Sequence, residues 1–380
     1  MPTSNVSLAD NAINMPAQRA PEIAEKLRRL RAWMEGRQLH ALLLSRHENI
    51  AWATGGVDVR IGVLREVGAA HLLITPDRAF YLTTNNEEAR LQTEEFAALG
   101  FEPVISAWYA NDLAAAVRSL VGENELGADM PFGSSPGLSL FEVRQNLTEF
   151  ELDRYRQLGK TVAEQVSSVI LDVQPGMRER QIQAMLAERL IARGVLPSVY
   201  LIATDERARS YRHPVPREGE LRNFGMIGLC ARQWGLTVAI TRFVHFGAVP
   251  SELKEKFAAV AQVNAQLLHA TREGTTADHL FTVACDSYAE LGYPGEERMH
   301  HQGGPTGYLE REWVARPGGQ ETVQPLQAFA WNPTIQGAKV EDTSILRNGK
   351  IELITATPDL PQIKTRRADC EYTSAGLLLR

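Results

Sequence analysis

The sequence predicts two domains, an α/β domain followed by an α+β domain with an internal repeat. The chain has 380 residues, enough for two domains that each bury a core. Helical and extended segments alternate in the first part, as is typical of an α/β fold. The second part repeats a helix pair and a strand-rich segment at a fixed offset. We expect a flexible N-terminus over residues 1–20, a first domain over 21–148 and a second over 149–380.

Composition and charge narrow the class of protein. The sequence is 44% hydrophobic and 23% charged, which is near the average for globular domains. Its formal net charge of -6 leaves no basic surplus for phosphates, so we expect no nucleic-acid partner. The sequence contains no run of about eighteen apolar residues, so no membrane span is predicted. Its first residues do not resemble a secretion signal. The three cysteines are far apart, which favours a cytoplasmic protein without disulfides.

The first domain is predicted to alternate helices and strands. An amphipathic helix over Pro21–Glu35 comes first, because apolar side chains recur at helical spacing between Ile23 and Trp33. A short apolar strand over Ala41–Ser45 follows. The later segments predict a hairpin over 71–84, a helix over 85–96, a strand over 101–108, a helix over 111–121, a strand over 125–129 and a helix over 137–147.

The second domain carries an internal repeat with an offset of 98 residues. Gly176 and Gly274 each precede a helix, and each helix ends at a glycine, Gly194 or Gly292. Two copies of one unit predict a pseudo-twofold axis with a cleft between them. The alternative is a chance similarity of two helix pairs. The longer helix that precedes each copy is expected over 150–173 and 251–271, and the strand-rich segments over 198–246 and 299–355.

Four local motifs, in order along the chain, carry a resemblance to a known family. They are N-I-A-W-A-T-G at 49–55, V-Q-P-G-M at 173–177, A-I-T-R-F-V-H-F-G at 239–247 and G-A-K-V-E-D-T at 337–343. These motifs resemble those of the creatinase/prolidase/aminopeptidase P family over nearly the whole chain. The resemblance implies a creatinase-like N-terminal α/β domain and an α+β pita-bread C-terminal domain with a pseudo-twofold repeat.

The resemblance also implies where metal ions bind in this family. Its metallopeptidases hold two divalent cations with two aspartates, one histidine and two glutamates. Glycine and alanine offer no ligand atom and asparagine offers a neutral carbonyl, so one remaining carboxylate cannot assemble a paired site. We therefore expect no metal and no other cofactor. The five matching positions here are Gly228, Ala239, Gly304, Asn332 and Glu341.

Two residues are predicted to be catalytic. His213, in Y-R-H-P-V-P at 211–216, matches the histidine of the family's H-x-x-P loop. In creatinase, which works without metal, the resemblance implies that this histidine is the acid/base, a role that suits the pKa of imidazole. Glu341 matches the carboxylate that faces the cationic substrate of creatinase. The alternatives are a surface-loop histidine and a solvated acid at the end of a strand.

Two adjacent histidines and an arginine are candidates for binding substrate. His300 matches the first histidine of the family's histidine motif. His301 would point to the opposite side of a strand, so one of the two is expected to face the cleft. Core packing stays open for both, as does a shifted alignment in which either rebuilds a single-metal site. Arg311 takes the place of the family's second active-site histidine, which implies a changed substrate.

Three further candidates are Arg60, Arg65 and Asn332. Arginines of the N-terminal domain bind a substrate carboxylate across the dimer interface in creatinase, and the planar guanidinium suits that bidentate contact. The resemblance therefore implies a homodimer in which Arg60 or Arg65 acts in the partner's cleft. Asn332 occupies a position that binds metal in the family's metallopeptidases, and it is the last of the predicted substrate-binding residues.

The preferred interpretation is a metal-independent hydrolase of a C–N bond in a small polar molecule, such as an amide, amidine or guanidine-like compound. His213 would be the general acid/base, and Glu341 would orient the electropositive part of the substrate. Two alternatives remain. One is a catalytically inactive binding protein of this fold, and the other is a residual Xaa-Pro metallopeptidase.

Overall fold

The computed structural model describes residues 16–122 and 125–380. The chain forms two compact units. The first runs to Arg144 and includes Thr148–Arg154, and the second comprises Gln145–Leu147 and Tyr155–Arg380. Of the predicted flexible N-terminus, residues 1–15 lie outside the described residues. Residues 16–20 are helical, because the first helix continues upstream of Pro21 and this proline forfeits only one backbone hydrogen bond near the helix start.

The first unit alternates short helices and strands as predicted. A π-helical turn over Leu91–Glu95 and a 3-10 turn over Trp108–Ala110 complete it. Its regular elements are α1 (Pro16–Glu35), β1 (Ala41–Arg46), α2 (His47–Ala53), β2 (Val67–Ile74), β3 (Ala79–Thr84), α3 (Glu88–Arg90), β4 (Glu102–Ser106), α4 (Leu113–Val121), β5 (Leu126–Ala128), β6 (Pro131–Phe132), β7 (Ser135–Pro136) and α5 (Phe141–Arg144).

The five-stranded sheet of this unit has the order β4-β3-β2-β1-β5. The central pairs β1–β2 and β2–β3 are antiparallel, and the outer pairs are parallel. Helix α4 packs Val117 against Leu43, Leu73 and Phe80 of the sheet. Asp112 caps this helix by accepting a hydrogen bond from the backbone N–H of Ala115 at 2.9 Å. The apolar face of α4 and the sheet therefore form one core.

One predicted helix of this unit is wrong in extent. The helix expected over 137–147 is reduced to Phe141–Arg144. Gly137 has a φ of 90°, in the left-handed region that ends rather than begins regular helix. Residues 131–136 form the β6–β7 hairpin, and α5 starts only after the chain has left this hairpin.

Four charged side chains are buried together in the first unit. The Nζ atom of Lys26 donates to Glu22 at 2.6 Å and to Glu151 at 2.9 Å. Arg154 binds both carboxylate oxygens of Glu22 at 2.7 Å. Because all four are nearly inaccessible to water, each charge depends on its partners for stabilisation.

The second unit contains most of the remaining elements, and the first turns of α6 belong to the first unit. They are α6 (Glu149–Asp172), α7 (Glu179–Ile191), β8 (Leu196–Thr204), α8 (Asp205–Ser210), β9 (Phe224–Gln233), β10 (Leu236–His245), α9 (Ser251–Ala270), α10 (Ala277–Glu290), α11 (Glu296–Met299), β11 (Gly303–Thr306), β12 (Gln327–Trp331), β13 (Thr334–Ile335), β14 (Ala338–Lys339), β15 (Asp342–Arg347), β16 (Lys350–Leu353), β17 (Gln362–Arg367), β18 (Cys370–Ala375) and β19 (Leu377–Leu379).

The predicted internal repeat is confirmed. One copy has α6 and α7 with the sheet β19-β10-β9-β8, and the other has α9 and α10 with the sheet β11-β12-β15-β16. Gly176 and Gly274, which start the short helix of each copy, have φ values of 91° and 83°. Only glycine adopts that conformation without strain, so both copies need it at the same place.

A buried arginine joins the two copies of the repeat. Arg242 of β10 donates from Nη2 to Oδ1 of Asp342 in β15 at 2.7 Å, and from Nε to Thr357 at 2.8 Å. Next to it, the backbone N–H of Thr241 donates to the carbonyl of Glu341 at 3.0 Å. These bonds fix the segment that carries Glu341 against β10. No helix within the described residues is long and apolar enough to cross a membrane.

Candidate functional site

Three imidazole rings meet in the second unit. His213 lies in the loop after α8, and His300 and His301 lie between α11 and β11. The Nε2 atoms of His213 and His300 are 2.8 Å apart, so one ring donates a hydrogen bond to the other. The ring centroids of His300 and His301 are 4.5 Å apart and nearly parallel, and His301 is 6.1 Å from His213. The cluster therefore combines residues 87 positions apart in sequence.

The surroundings keep these three rings neutral. Although His213 is accessible at the surface, the surrounding protein partly desolvates its ring and lowers its pKa, and the positive charges of Lys339 and Arg311 lower it further. Burial together with Lys339 lowers the pKa of His300 to about 2. Although His301 is accessible to solvent at its surface, the neighbouring protein groups partly desolvate its ring and, together with Arg311, lower its pKa to about 4. At neutral pH each ring therefore offers one nitrogen lone pair.

Glu341 lies beside this cluster and binds two cations. Its Oε1 accepts from Nη2 of Arg311 at 3.0 Å, and its Oε2 lies 2.9 Å from Nζ of Lys339. The hydroxyl of Thr241 also donates to Oε2 at 2.6 Å. Burial alone would raise the pKa of Glu341, but Lys339 and Arg311 outweigh it and hold that pKa well below its usual range. The carboxylate is therefore ionised, and the three charged groups sum to one positive charge.

The positions of the family's paired metal ions do not fit two cations in this structure. A Cβ atom on Gly304, where the resemblance places the metal-binding histidine, would lie 2.2 Å from the carbonyl oxygen of Trp313. A Cβ atom on Gly228 would lie 3.0 Å from the hydroxyl of Thr241 and 3.2 Å from Leu201. The backbone of Trp313 therefore leaves no space for a side-chain ligand at Gly304, whereas a side chain at Gly228 would require the neighbouring Thr241 and Leu201 side chains to shift by a few tenths of an ångström.

The other positions of that set are also unsuited to a metal pair. Ala239 is buried, and its backbone N–H and carbonyl both bond the hydroxyl of Thr343. Asn332 is buried with its Oδ1 atom unpartnered within the described part of the chain, which leaves one neutral acceptor. The carboxylate of Glu341 is held by Lys339 and Arg311, so organic cations take the place of metal charge.

The structure brings together five of the residues predicted from the sequence and separates others. His213, His300, Glu341 and Arg311 form one neighbourhood, and His301, a fifth predicted residue, belongs to it as well. The expectation that His301 faces away from His300 is wrong. Residues 300–302 precede β11 rather than lying in a strand, so the alternation of a strand does not apply and the two rings stack.

Arg60 and Arg65 belong to the first unit. The guanidinium of Arg60 donates to Asp58 from Nε at 2.9 Å and from Nη2 at 2.7 Å. Arg65 is exposed, and its backbone N–H closes a turn onto the carbonyl of Gly62. Their role in binding substrate stays a prediction.

Sequence reasoning missed Lys339 and Thr241, although both lie inside the quoted motifs. Lys339 is two residues before Glu341, and that spacing puts two side chains on the same side of an extended segment. A lysine at this spacing from a matched carboxylate was therefore a usable signal. Thr241 could be recognised only from the pairing of β10 with the segment around Glu341, which is a tertiary contact.

Comparisons with known proteins give relatives over most of the chain. The Xaa-Pro dipeptidase of Pyrococcus horikoshii is 21% identical over 362 residues, covering 88% of this chain and 97% of the relative. The probable dipeptidase PepE of Mycobacterium tuberculosis is 25% identical over 261 residues, covering 66% and 68%. Among solved structures, the prolidase of Pyrococcus horikoshii has a TM-score of 0.73 at 19% identity, covering 88% and 98%. The dipeptidase PepE of Mycobacterium ulcerans has a TM-score of 0.74 at 16% identity, covering 89% and 97%.

These relatives correct the function predicted from the sequence. The metal-independent, creatinase-like hydrolase of amides, amidines or guanidine-like compounds is contradicted, because the relatives are named dipeptidases and prolidases. The interpretation inferred the reaction from the lost ligand positions and from the match of His213 and Glu341 to residues of creatinase. Such a loss describes how a site differs from its family, and it does not identify the molecule on which the site acts.

Models of two protein families match the chain in the expected order. The Creatinase/Prolidase N-terminal domain matches residues 26–135. The metallopeptidase family M24 matches residues 153–348, which is more than half of the chain and includes the whole histidine and Glu341 neighbourhood. The pita-bread fold and the preceding α/β domain agree with both matches. The chain therefore belongs to metallopeptidase family M24.

Proposed function

We propose that this protein hydrolyses small peptides of the Xaa-Pro type in the cleft of its second unit. The observation that carries the proposal is the positively charged cluster around Glu341. Lys339 and Arg311 contribute two positive charges and Glu341 one negative charge. The terminal carboxylate of a dipeptide has the opposite charge and can bind at this end of the site, away from the terminal ammonium group. The names of the relatives support the same class of substrate.

Arg311 is the residue that we assign to the substrate carboxylate. Its Nη2 atom binds Glu341, and its Nη1 atom donates to the carbonyl of Glu310 at 2.6 Å. Its Nε atom is buried and has no hydrogen-bond partner among the described residues. An unpaired buried donor on a cation is costly, and a movement of the side chain that opens this atom to a substrate carboxylate would allow a charge-assisted bond. Glu341 then keeps the guanidinium oriented toward the bound peptide.

The experiment is a hydrolysis assay with matched peptides. In the reaction water adds across the peptide bond, so the amino-terminal residue and proline are both released. We expect release of proline from Ala-Pro and Leu-Pro, and much slower reaction of their C-terminal amides, which lack the carboxylate. The assay is run with metal-supplemented and metal-free protein. Equal hydrolysis of acid and amide would contradict the assignment of Arg311.

A second candidate is a peptide-binding protein without turnover. The closed backbone at Gly304 and the neutral Asn332 favour it, because both remove family ligands without providing a replacement at the same positions. This function predicts that Ala-Pro binds in calorimetry, that the amide binds less tightly, and that no proline is released under any metal condition.

We also propose that the protein is a homodimer. Ile61, Val63 and Leu64 lie in the loop between α2 and β2 and are exposed by 68%, 57% and 96%. Three apolar side chains so close together are costly in water and are commonly covered by a partner. Light scattering at micromolar concentration should give about twice the chain mass of 42.1 kDa. Replacement of Leu64 by Asp should reduce that mass toward the monomer.

A cytoplasmic location is proposed from the cysteines. Cys230, Cys285 and Cys370 are free thiols in the structure. Free thiols suit a reducing compartment, where disulfides rarely persist. Fractionation of cells that express the protein would test the location.

A further inference from the structure

We propose that His213, His300 and His301 form a site for a single zinc-type transition-metal ion, separate from the positions of the family's metal pair. Each side chain offers one ring nitrogen, and within the described residues these atoms all lie within 4.8 Å of one another. Nitrogen ligands at about 2.0 to 2.1 Å from tetrahedral zinc are roughly 3.3 Å apart. The observed spacing brackets that distance, so small ring rotations suffice to bind an ion.

The hydrogen bonding of the rings leaves nitrogen lone pairs available for a metal ion. The Nε2 atoms of His213 and His300 face each other at 2.8 Å, although two neutral imidazoles can share only one proton there. The Nδ1 atom of His300 is buried with no hydrogen-bond partner in the described part of the chain. No protein group therefore fixes the tautomer of His300, and a cation between the rings can use a lone pair from each.

The charges nearby determine which ion fits. Lys339 and Arg311 repel a cation, and Glu341 offsets only one of them. Hard ions such as Mn²⁺ and Mg²⁺ depend on anionic oxygen ligands, which this cluster lacks. Imidazole nitrogens suit Zn²⁺, Co²⁺, Ni²⁺ and Cu²⁺. The site should therefore prefer zinc-type ions, with an affinity reduced by the neighbouring lysine and arginine.

This assignment changes the role predicted for His213. A histidine bound to a metal through the nitrogen that faces His300 cannot also accept a proton there, so His213 becomes a ligand rather than the acid/base. The inference does not depend on the proposed hydrolysis, because metal content is measured without a substrate. Failure of the metal-site inference can therefore be distinguished from failure of the proposed hydrolysis.

The test is a metal titration of the chelator-treated full-length protein. Calorimetry with Zn²⁺ and visible absorption with Co²⁺ should show one ion per chain in a nitrogen-rich, four-coordinate site. His300→Gln and His301→Gln should each weaken binding by at least about tenfold, since even changes that only support a ligand cost that much. His279→Gln, an exposed histidine of α10, is the matched control and should bind normally. Lys339→Met should tighten binding, because one repelling charge is removed.

Three results would contradict the proposal of a three-histidine metal site. The first is less than stoichiometric zinc in the wild-type protein. The second is unchanged zinc binding in His301→Gln, whose exposed ring can be replaced without disturbing the core. The third is binding of two Mn²⁺ ions that is lost in Glu341→Gln and kept in His300→Gln, which would assign metal to the family's positions. Circular dichroism of each variant confirms that it is folded.

Discussion

The ammonium group of Lys339 lies 2.9 Å from Oε2 of Glu341, and the two side chains are only 3% and 5% exposed. Arg311 binds the other oxygen of the same carboxylate. In a family that uses carboxylates to hold metal ions, this carboxylate is neutralised by the chain's own cations. The electrostatics of this site therefore depend on Lys339 and Glu341 of one segment and on Arg311 of another, and each side chain can be tested separately.

The first prediction concerns the stability that this ion pair provides. Lys339→Met should lower the free energy of unfolding by about 2 to 4 kcal/mol, because it leaves a buried carboxylate with one cation instead of two. Lys160→Met is the control, since Lys160 pairs with Glu164 at 3.9 Å on an exposed surface. That change should cost at most about 0.5 kcal/mol. Chemical denaturation measures both, and equal losses would contradict the prediction.

The second prediction concerns recognition of the substrate carboxylate. Arg311→Gln should raise KM for Ala-Pro by roughly 10- to 100-fold, the value of one charge-assisted hydrogen bond of about 1.5 to 3 kcal/mol. The same variant should act on the peptide amide like the wild type. Arg316→Gln removes a partly exposed arginine that pairs with Glu321, and it should leave KM unchanged. A rise in KM for acid and amide alike would indicate a general loss of structure.

The third prediction concerns Gly304 and the missing metal-binding histidine. Gly304→Ala should destabilise the protein by about 1 to 3 kcal/mol, because its Cβ would overlap the backbone carbonyl of Trp313. At Gly307 a Cβ would lie 3.1 Å from the end of the Glu312 side chain, which can rotate away. Gly307→Ala is therefore expected to cost less in a thermal unfolding measurement. If Gly304→His is as stable as the wild type and binds Mn²⁺, the closed-backbone explanation is wrong.

The fourth prediction concerns acid sensitivity of the first unit. Burial raises the pKa of Glu22, but Lys26 and Arg154 outweigh burial and lower that pKa to about 2. Its ordinary value is 4.5. The unfolded chain therefore binds a proton at a higher pH than the folded chain, so stability is complete above pH 4.5 and falls as the pH drops toward 2. The shift corresponds to roughly 3 kcal/mol at neutral pH.

Unfolding measured across that pH range tests this prediction. In Glu22→Gln the dependence between pH 4.5 and 2 should become shallower, and stability at neutral pH should drop by about 3 to 5 kcal/mol because the buried cations Lys26 and Arg154 lose the negative charge of Glu22. Glu25→Gln is the control on the same helix, since Glu25 pairs with Arg28 and Arg29 at the surface. A pH dependence that is unchanged in Glu22→Gln would show that other carboxylates dominate.

The sequence by itself determined the two domains, the repeat and most elements. Hydrophobic periodicity and the glycines that require a positive φ are local properties, so Gly176 and Gly274 marked the repeat without any tertiary information. The family's motifs then located His213 and Glu341. Local reasoning was wrong for the helix over 137–147, because the preceding residues form a hairpin and the helix starts only at Phe141.

Only the tertiary structure decided which of these residues meet and with what charge. His213 and His300 are 87 residues apart, and Arg311 and Glu341 are 30 apart, so their contacts depend on which loops and strands the fold makes adjacent. The pKa values of the histidines follow from the same packing, because burial and the ammonium of Lys339 act through space. A local pattern specifies a side chain and its backbone, whereas the partners that determine its chemistry come from distant parts of the chain.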